Sequence, residues 1–261
     1  MKRVEYYRDI KGVVVSSVDV GERDRLITIL TAEEGLITML APSARIPKSR
    51  LMSPTQLFAY STFSVTERGE RLILKEAQVI DTFYALREGL EKAALASYIA
   101  EIVSYTGTEQ PDVTLLRLVL NTLFAIAREL YPLQQIKAAF ELRYATEIGF
   151  MPDVEGCSIC GGIPHGAVLH IERGHLVCED CRGSLEESLL REETPHEAQI
   201  ALLSEGAIAA IRYITHAPIE KLFSFKLEEN DLRLLGMAAE DYLLYHTDHT
   251  YTSLEFYKQV I

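Results

Sequence analysis

Short runs in which apolar and polar residues alternate occupy the first eighty positions of the chain. Valine, isoleucine, threonine and aromatic residues are frequent in these runs, and glycine or acidic residues separate them. Such a pattern is typical of strands joined by tight turns. The predicted strands are residues 10–18, 25–31, 36–40, 58–66 and 71–79. Five short strands predict a small Greek-key β-barrel of the OB type, and an SH3-like barrel fits the count nearly as well.

From residue 81 onward the apolar period changes from two residues to about 3.6, which is typical of helices. Residues 113–131 are apolar nearly all round, which predicts a buried central helix, and Thr194-Pro195-His196-Glu197 is typical of a helix N-terminus. We therefore expect an α+β multidomain protein, with an N-terminal OB-type barrel in residues 1–80 and an all-α domain in residues 81–261. The predicted helices are residues 90–106, 113–131, 132–149, 197–215 and 229–245.

All four cysteines lie in one stretch, as two C-x-x-C pairs separated by seventeen residues. Each pair can place two sulfurs on the same ion, so four thiolates at this spacing predict one tetrahedral structural Zn²⁺. Gly161-Gly162 permits a tight turn behind the first pair. We predict a zinc module at about residues 153–185, inserted into the helical domain and followed by a helix near Ser184-Leu185. The predicted ligands are Cys157, Cys160, Cys178 and Cys181.

Other uses of the cysteines fit the sequence less well. Two disulfides need an oxidising compartment, and the N-terminus does not resemble a signal peptide. A redox C-x-x-C needs only one pair, and a catalytic zinc needs an open coordination position. His165, His170 and His175 lie between the pairs and could suggest a mixed site, but we expect them on the loop and hairpin surface.

Charge is distributed unevenly along the chain, whose formal net charge is −12. Residues 1–80 carry twelve Lys or Arg and ten Asp or Glu, whereas the remaining residues carry 14 and 28. This asymmetry suggests domains with different partners. The chain is 48% hydrophobic and has no apolar run near transmembrane length, so we expect a soluble, cytoplasmic protein without membrane contact.

Basic residues cluster after the third predicted strand, in residues 41–50. Two prolines there predict an extended, non-helical loop, and no carboxylate occurs between residues 35 and 66. Long basic side chains on such a loop can neutralise phosphates, although many such loops are only solvated. Phe58, Tyr60 and Phe63 could stack on bases, but their spacing is more typical of barrel core or rim. The candidate nucleic-acid contacts are Arg23, Arg25, Arg45, Lys48 and Arg50.

Sequence signals for enzymatic activity are weak. The chain contains no G-x-x-x-x-G-K-[ST], H-E-x-x-H or G-x-S-x-G run, so the usual motifs of ATP hydrolysis, zinc proteolysis and α/β-hydrolase chemistry are missing. His246-Thr247-Asp248-His249 is more typical of a polar helix end than of a metal site, and Glu192-Glu193 of solvated charge. We expect a protein that is not an enzyme.

Several runs together resemble the RecO family of bacterial recombination mediators along essentially the whole chain. The most specific is Phe140-Glu141-Leu142-Arg143, followed by Gly149-Phe150-Met151-Pro152 and then by Cys157-Ser158-Ile159-Cys160-Gly161. Other matching runs are Gly12-Val13-Val14-Val15, Val20-Gly21-Glu22-Arg23-Asp24, Ile27-Thr28-Ile29-Leu30-Thr31, Ala44-Arg45, Ser49-Arg50-Leu51, Leu74-Lys75-Glu76-Ala77, His246 and Ser253-Leu254-Glu255-Phe256.

The resemblance implies an OB-fold joined to a helical domain with a zinc site, and no enzymatic turnover. It implies binding of single- and double-stranded DNA, annealing of complementary strands, and work with RecR, often with RecF, to load RecA onto strands coated by single-strand-binding protein. It also implies docking of that coating protein's acidic, hydrophobic C-terminal tail and a cytoplasmic, nucleoid-associated location. Arg128, Lys137, Arg143 and Arg212 are candidate contacts for the tail, although each could be an ordinary solvated charge.

By matching position, Arg45 and Arg50 would contact DNA. The family loop is usually more basic, and Pro42 and Ile46 stand where Arg or Lys is common, which predicts weaker DNA binding or more dependence on a partner. Two hypotheses follow. The first is a DNA-repair and recombination mediator that binds and anneals DNA. The second is a zinc-stabilised adaptor that binds protein or RNA and does not anneal DNA.

Overall fold

The computed structural model describes residues 7–183 and 200–261. Five strands of the N-terminal region form a closed barrel in the order β1-β2-β3-β5-β4. Antiparallel pairs connect neighbouring strands, and the parallel pair of β3 and β5 closes the barrel. This confirms the prediction of an OB-like barrel. The strands are β1 (Arg8–Val20), β2 (Asp24–Thr31), β3 (Leu36–Ala41), β4 (Tyr60–Arg68) and β5 (Arg71–Asp81).

Alternation along the strands explains the barrel core. Successive strand side chains point to opposite faces, so Ile27 and Ile29 of β2 and Met39 of β3 lie inside and are buried. Phe63 is also fully buried in this core, and Phe58 is buried. The expectation that these aromatic residues belong to the barrel core or rim is therefore confirmed for Phe58 and Phe63, whereas Tyr60 is only partly buried.

The loop between β3 and β4 differs from its prediction. It is not extended, because its backbone forms consecutive turns, with amide-to-carbonyl hydrogen bonds from Ile46 to Ser43 at 3.2 Å and from Ser49 to Ile46 at 2.9 Å. Ser43 and Lys48 have positive φ angles of 58° and 69°, which lets the chain reverse direction repeatedly. Proline fixes only its own φ and restricts its predecessor, so Pro42 and Pro47 do not prevent turns elsewhere in the loop.

Helices begin after the barrel. The first helix, α1 (Leu90–Thr106), ends where predicted, before Gly107. The second, α2 (Val113–Ala127), is capped by Asp112, whose side chain accepts the Leu115 amide. Helix α2 ends four residues earlier than predicted, and Val113 and Phe124 are exposed. The prediction that this helix is apolar and buried nearly all round is therefore wrong for one face.

Helices and a small sheet form the second half of the chain. Helix α3 (Leu133–Glu147) precedes β6 (Asp153–Cys157), β7 (Gly166–His170) and β8 (His175–Cys178). After the gap come β9 (Ile200–Ser204), α4 (Glu205–His216), α5 (Glu229–Thr247) and α6 (Thr252–Val260). The sheet order is β6-β8-β7-β9. Within this half, α5 packs against α3 and β9.

The predicted helix over residues 197–215 is wrong at its beginning. Ile200–Ser204 is strand β9, which pairs antiparallel with β7. The helix begins at Glu205, where the Ser204 side chain caps it by accepting the Ala207 amide at 3.2 Å. The predicted N-terminus at 194–197, the predicted helix near Ser184-Leu185 and Glu192-Glu193 lie outside the described residues.

Two compact units divide the chain: Met1–Arg128 with Tyr251–Ile261, and Glu129–Thr250. In the first unit, α1 and α2 pack against the barrel strands, and α6 packs against α1. The predicted domain boundary near residue 80 stays a prediction, although the last barrel strand ends at Asp81. Within the described residues, no helix is both long enough and apolar enough to cross a membrane.

Candidate metal centre and nucleic-acid interface

The four cysteines meet at one place in the second unit. The Sγ atoms of Cys157, Cys160, Cys178 and Cys181 all lie within 4.8 Å of one another. Cys157 is buried, Cys160 is exposed, and the other two are partly exposed. The structure thus brings together all four predicted ligands.

Local backbone geometry produces this convergence. Cys157 ends β6, and Cys178 ends β8, which lies beside β6 in the sheet. Gly161, with φ of 72°, turns the chain behind the first pair, and its amide donates to the Cys157 carbonyl at 2.8 Å. A short 3-10 helix, Glu179–Cys181, places Cys181 beside Cys178. Each pair is therefore local, and only the sheet joins the two pairs.

The spacing of the sulfurs fits a tetrahedral ion. With metal–sulfur bonds of about 2.3 Å, tetrahedral geometry separates the sulfurs by about 3.8 Å, and the Sγ atoms of Cys160 and Cys178 are 3.9 Å apart. The backbone amide of Cys178 donates to Cys157 Sγ at 3.4 Å, as expected for a thiolate steadied by its surroundings. Four cysteines at these positions can hold one divalent ion with no coordination site left open.

Two of the four thiols, Cys157 and Cys181, differ in acidity. Burial raises the pKa of Cys157, but hydrogen bonds from the backbone of Cys178, Cys160 and Ile159 lower it more, to about 6. Hydrogen bonding to Cys178, followed by burial, raises the pKa of Cys181 to about 12. A metal must displace the remaining thiol protons, so binding should release protons.

Three histidines near the cysteines do not join the cluster in the described part of the chain. His165 is exposed, as predicted, and its Nδ1 lies 3.2 Å from Glu205 Oε2. His170 was expected on the surface, but it is buried, and its Nδ1 accepts the Arg173 amide at 3.3 Å. His175 is partly buried, and burial lowers its pKa. His170 and His175 belong to the β7–β8 hairpin, and His165 precedes it.

The five predicted DNA-binding cations divide into two groups at one end of the barrel. Asp19 lies between two of them: its Oδ1 is 3.2 Å from Arg25 Nε, and its Oδ2 is 3.1 Å from Arg45 Nε. Arg25 Nη1 also donates to Thr55 Oγ1 at 3.4 Å, and Arg45 Nη1 donates to the Gly21 carbonyl. Arg25 and Arg45 therefore fasten the β3–β4 loop to the β1–β2 turn.

The other three cations face solvent. Arg23, Lys48 and Arg50 are exposed, and their side chains form no hydrogen bond or ion pair with the residues that the structure describes. Arg23 belongs to the β1–β2 turn, and Lys48 and Arg50 to the β3–β4 loop. The two segments touch, because the Arg45 amide donates to the Arg23 carbonyl at 3.0 Å. Exposed cations from two segments thus share one end of the barrel.

Sequence reasoning missed two acidic residues at this end. Residues 35–66 contain no carboxylate, but carboxylates from elsewhere in the chain contact this segment. Asp19 forms an ion pair with Arg45, and Asp24 Oδ1 accepts the Ser43 amide at 2.7 Å. The position of Asp19 in the β1–β2 hairpin could have been inferred from the sequence by counting residues outward from the turn. Asp19 pairs directly with Arg25 across the turn at Gly21, and opposite charges commonly occupy such positions.

The four candidate contacts for an acidic tail also differ in their exposure and their partners. Lys137 is buried between Glu141 and Glu240, with both oxygens 2.8 Å from its Nζ. Arg143 Nη1 donates to the Ala217 carbonyl at 2.7 Å, and Arg212 Nε donates to the Val154 carbonyl at 2.7 Å. Arg128 remains exposed, with its guanidinium 5.6 Å from the Phe124 ring centroid.

Comparison with known proteins gives matches along the chain. The family described as recombination protein O N terminal matches residues 5–83, and recombination protein O C terminal matches residues 87–255. A DNA repair protein RecO from Acetivibrio thermocellus is 33% identical over 259 residues, covering 97% of this chain and 96% of the relative. Proteins of the same name from Myxococcus xanthus and Pelotomaculum thermopropionicum are 36% and 26% identical, covering 71% and 94% of this chain and 77% and 91% of the relatives.

Proposed function

The chain belongs to the RecO family of DNA repair proteins, and we propose that it acts as a recombination mediator that binds DNA at one end of its barrel. In this proposal the protein binds single- and double-stranded DNA and anneals complementary strands. With RecR, and with RecF where it takes part, it helps load RecA onto strands coated by single-strand-binding protein. It does this in the cytoplasm, near the nucleoid, by binding rather than by catalysis.

The observation that carries the proposal is the exposed trio of Arg23, Lys48 and Arg50 on two adjoining segments. Phosphates are bound mainly by charge, and binding without base contacts has little sequence preference. The trio offers charge that the phosphates of any sequence can meet. A site of this kind suits a protein that must accept any sequence and then release it.

Annealing follows from the same chemistry. Two strands repel each other through their phosphates, and cations that neutralise some of this charge reduce the repulsion. Because such contacts weaken steeply as salt rises, the product duplex can leave. The second unit, residues 129–250, carries 21 Asp or Glu and nine Lys or Arg, and this excess of acid should keep DNA away from most of that unit and leave its surface for proteins.

The proposed metal is one structural zinc ion held by the four cysteines. It would join the end of β6 to the end of β8 and its 3-10 helix, and it would take no part in chemistry on DNA. Among the candidate contacts for the acidic tail, Arg128 beside Phe124 fits best, because a cation beside an exposed aromatic ring suits an acidic, apolar peptide.

Fluorescence anisotropy with labelled single-stranded DNA tests the proposal. The variant Arg23→Ala, Lys48→Ala, Arg50→Ala should bind at low salt about ten- to a hundredfold more weakly than wild type, because three phosphate contacts are lost. The matched control is Lys11→Ala, Lys221→Ala, Lys226→Ala, which removes three exposed cations elsewhere. The control should retain most of the affinity and should show that net charge alone is not responsible.

The same proteins should be mixed with two complementary strands, and duplex formation should be followed by energy transfer between labels. We expect the wild type and the control to accelerate annealing, and the trio variant to lose most of this acceleration. Absence of saturable DNA binding by the wild type at low salt would contradict the proposal. That result would favour an adaptor that binds protein, and a labelled single-stranded RNA would then test the remaining alternative.

A further inference from the structure

Asp19 forms ion pairs with two of the five cations predicted to bind DNA. Its two carboxylate oxygens lie 3.2 and 3.1 Å from the Nε atoms of Arg25 and Arg45. The Asp19 side chain is 52% exposed, whereas those of Arg25 and Arg45 are 21% and 32% exposed. The carboxylate therefore faces solvent and partly covers both guanidinium groups. Arginine binds carboxylate and phosphate through the same N–H groups.

The two arginines are held differently. Arg25 has further partners in the β3–β4 loop, the Met52 carbonyl at 3.5 Å and Thr55 Oγ1 at 3.4 Å from its Nη1. Arg45 is joined to the β1–β2 turn through Asp19 and the Gly21 carbonyl. Arg45 is the more exposed of the two and belongs to the same loop as Lys48 and Arg50. It is thus the cation that a strand bound by the exposed trio would reach next.

We propose that Asp19 is an internal competitor of the nucleic-acid phosphate for Arg45, and that it thereby limits the affinity of the barrel for DNA. A phosphate that approaches Arg45 must displace the carboxylate or share the guanidinium with it. The carboxylate also repels the phosphate directly. Both effects weaken binding and shorten the lifetime of the complex, which suits a mediator that has to release its product.

This inference rests on the proposed function, because it assumes that the exposed trio binds DNA. It adds Asp19 as a residue that weakens DNA binding. The cations of the β3–β4 loop alone would not predict such a residue. The opposite role would be positioning: Asp19 could hold Arg45 in the orientation that DNA requires. The two roles predict effects of opposite sign, so one substitution separates them.

Asp19→Asn keeps the size and one acceptor of the side chain but removes its charge. We expect this variant to bind single-stranded DNA about three- to tenfold more tightly than wild type at low salt. The slope of log affinity against log salt should steepen by about 0.7, the value for one additional phosphate contact with a single strand. Thermal unfolding of each variant should establish that the fold is retained.

Two comparisons make the test specific. Asp9→Asn, at the other end of β1, makes the same change in net charge and should alter the affinity much less. Adding Arg45→Ala to Asp19→Asn should abolish most of the gain, because the competition concerns this guanidinium. A double-mutant cycle of the two residues measures that coupling.

Affinity for Asp19→Asn that is equal to or lower than wild type would overturn the inference, and so would an equal gain in Asp9→Asn. These results leave the proposed function standing if the trio variant still binds poorly. If neither the wild type nor Asp19→Asn binds DNA at low salt, both proposals fail.

Discussion

The cysteine cluster and the cationic end of the barrel were predicted from the same chain, yet their residues have very different surroundings. All four cysteines converge with their Sγ atoms within 4.8 Å. Of the five cations, Arg25 and Arg45 are paired with Asp19, and the other three remain exposed. A structural zinc site requires a fixed number of ligands in a fixed geometry, whereas a cation can serve the fold or a ligand equally well.

The difference lies in how far each role depends on distant residues. A C-x-x-C pair places its own two sulfurs, so sequence spacing predicts most of the site. The role of an arginine depends on which carboxylates and carbonyls fold beside it. Asp19 is 26 residues from Arg45 in sequence, and its contact with Arg45 decides whether that guanidinium is free. Charge counted along the chain cannot reveal this.

The largest expected effect is the loss of structure on removal of one cysteine ligand. Cys178→Ser should lose the proposed zinc ion and much of the structure around β6–β8, because structural zinc sites contribute on the order of 10 kcal/mol to folding. Ser158→Ala, within the same knuckle but not a ligand, is the control. Metal content by mass spectrometry and protection of backbone amides from exchange measure the two effects. Purified wild type that is metal-free yet fully folded would contradict the structural role.

Replacing a buried cation should reduce the stability of the fold, as replacing a cysteine should, whereas replacing a cation of the exposed trio should not. Burial lowers the pKa of Lys137, but Glu141 and Glu240 raise it more, so that it remains charged. Lys137→Ala would leave Glu141 buried without this partner, and should cost about 3–5 kcal/mol of stability. Lys226→Ala, an exposed lysine of the same unit, should cost almost nothing. Chemical denaturation of both variants measures the difference in the free energy of unfolding. Equal stabilities would mean that a buried lysine contributes no more to the fold than an exposed one.

The smallest expected effect concerns the hairpin that carries β8. His246 Nε2 donates to the Ile171 carbonyl at 3.0 Å, and its ring stacks on Phe150 with centroids 4.6 Å apart. Burial lowers the pKa of His246, and the hydrogen bond to Ile171 raises it less. The folded pKa is therefore below the unfolded value of about 6.5. The neutral ring contributes stability above that pH, and this contribution is lost as the pH falls through the folded pKa.

His246→Gln retains a donor for Ile171 but does not titrate. Between pH 7.5 and 5.5, wild type should lose more stability than this variant, in denaturant titrations performed while the metal remains bound. His175, whose pKa is also lowered, is unchanged in both proteins and cancels in the difference. Parallel pH profiles would show that protonation of His246 does not weaken this part of the second unit.

The sequence predicted the five barrel strands, the helix ending at Gly107 and the cysteine pairs, because each depends on local periodicity or spacing. It did not predict β9. Residues 200–204 fit a helical period as well as a strand, and they become a strand because they pair with β7, 30 to 38 residues earlier in the chain. The turns of the β3–β4 loop were missed for a similar reason, since carboxylates from the β1–β2 hairpin hold them.

The salt dependence of single-stranded DNA binding tests most directly the central claim that exposed cations at the barrel end hold phosphates. The log affinity of the wild type should fall by about 2 for each tenfold rise in salt, as three contacts with a single strand predict. The variant lacking Arg23, Lys48 and Arg50 should bind weakly, with a nearly flat dependence. An unchanged affinity and slope in this variant, or no saturable binding by the wild type in dilute buffer, would contradict the account.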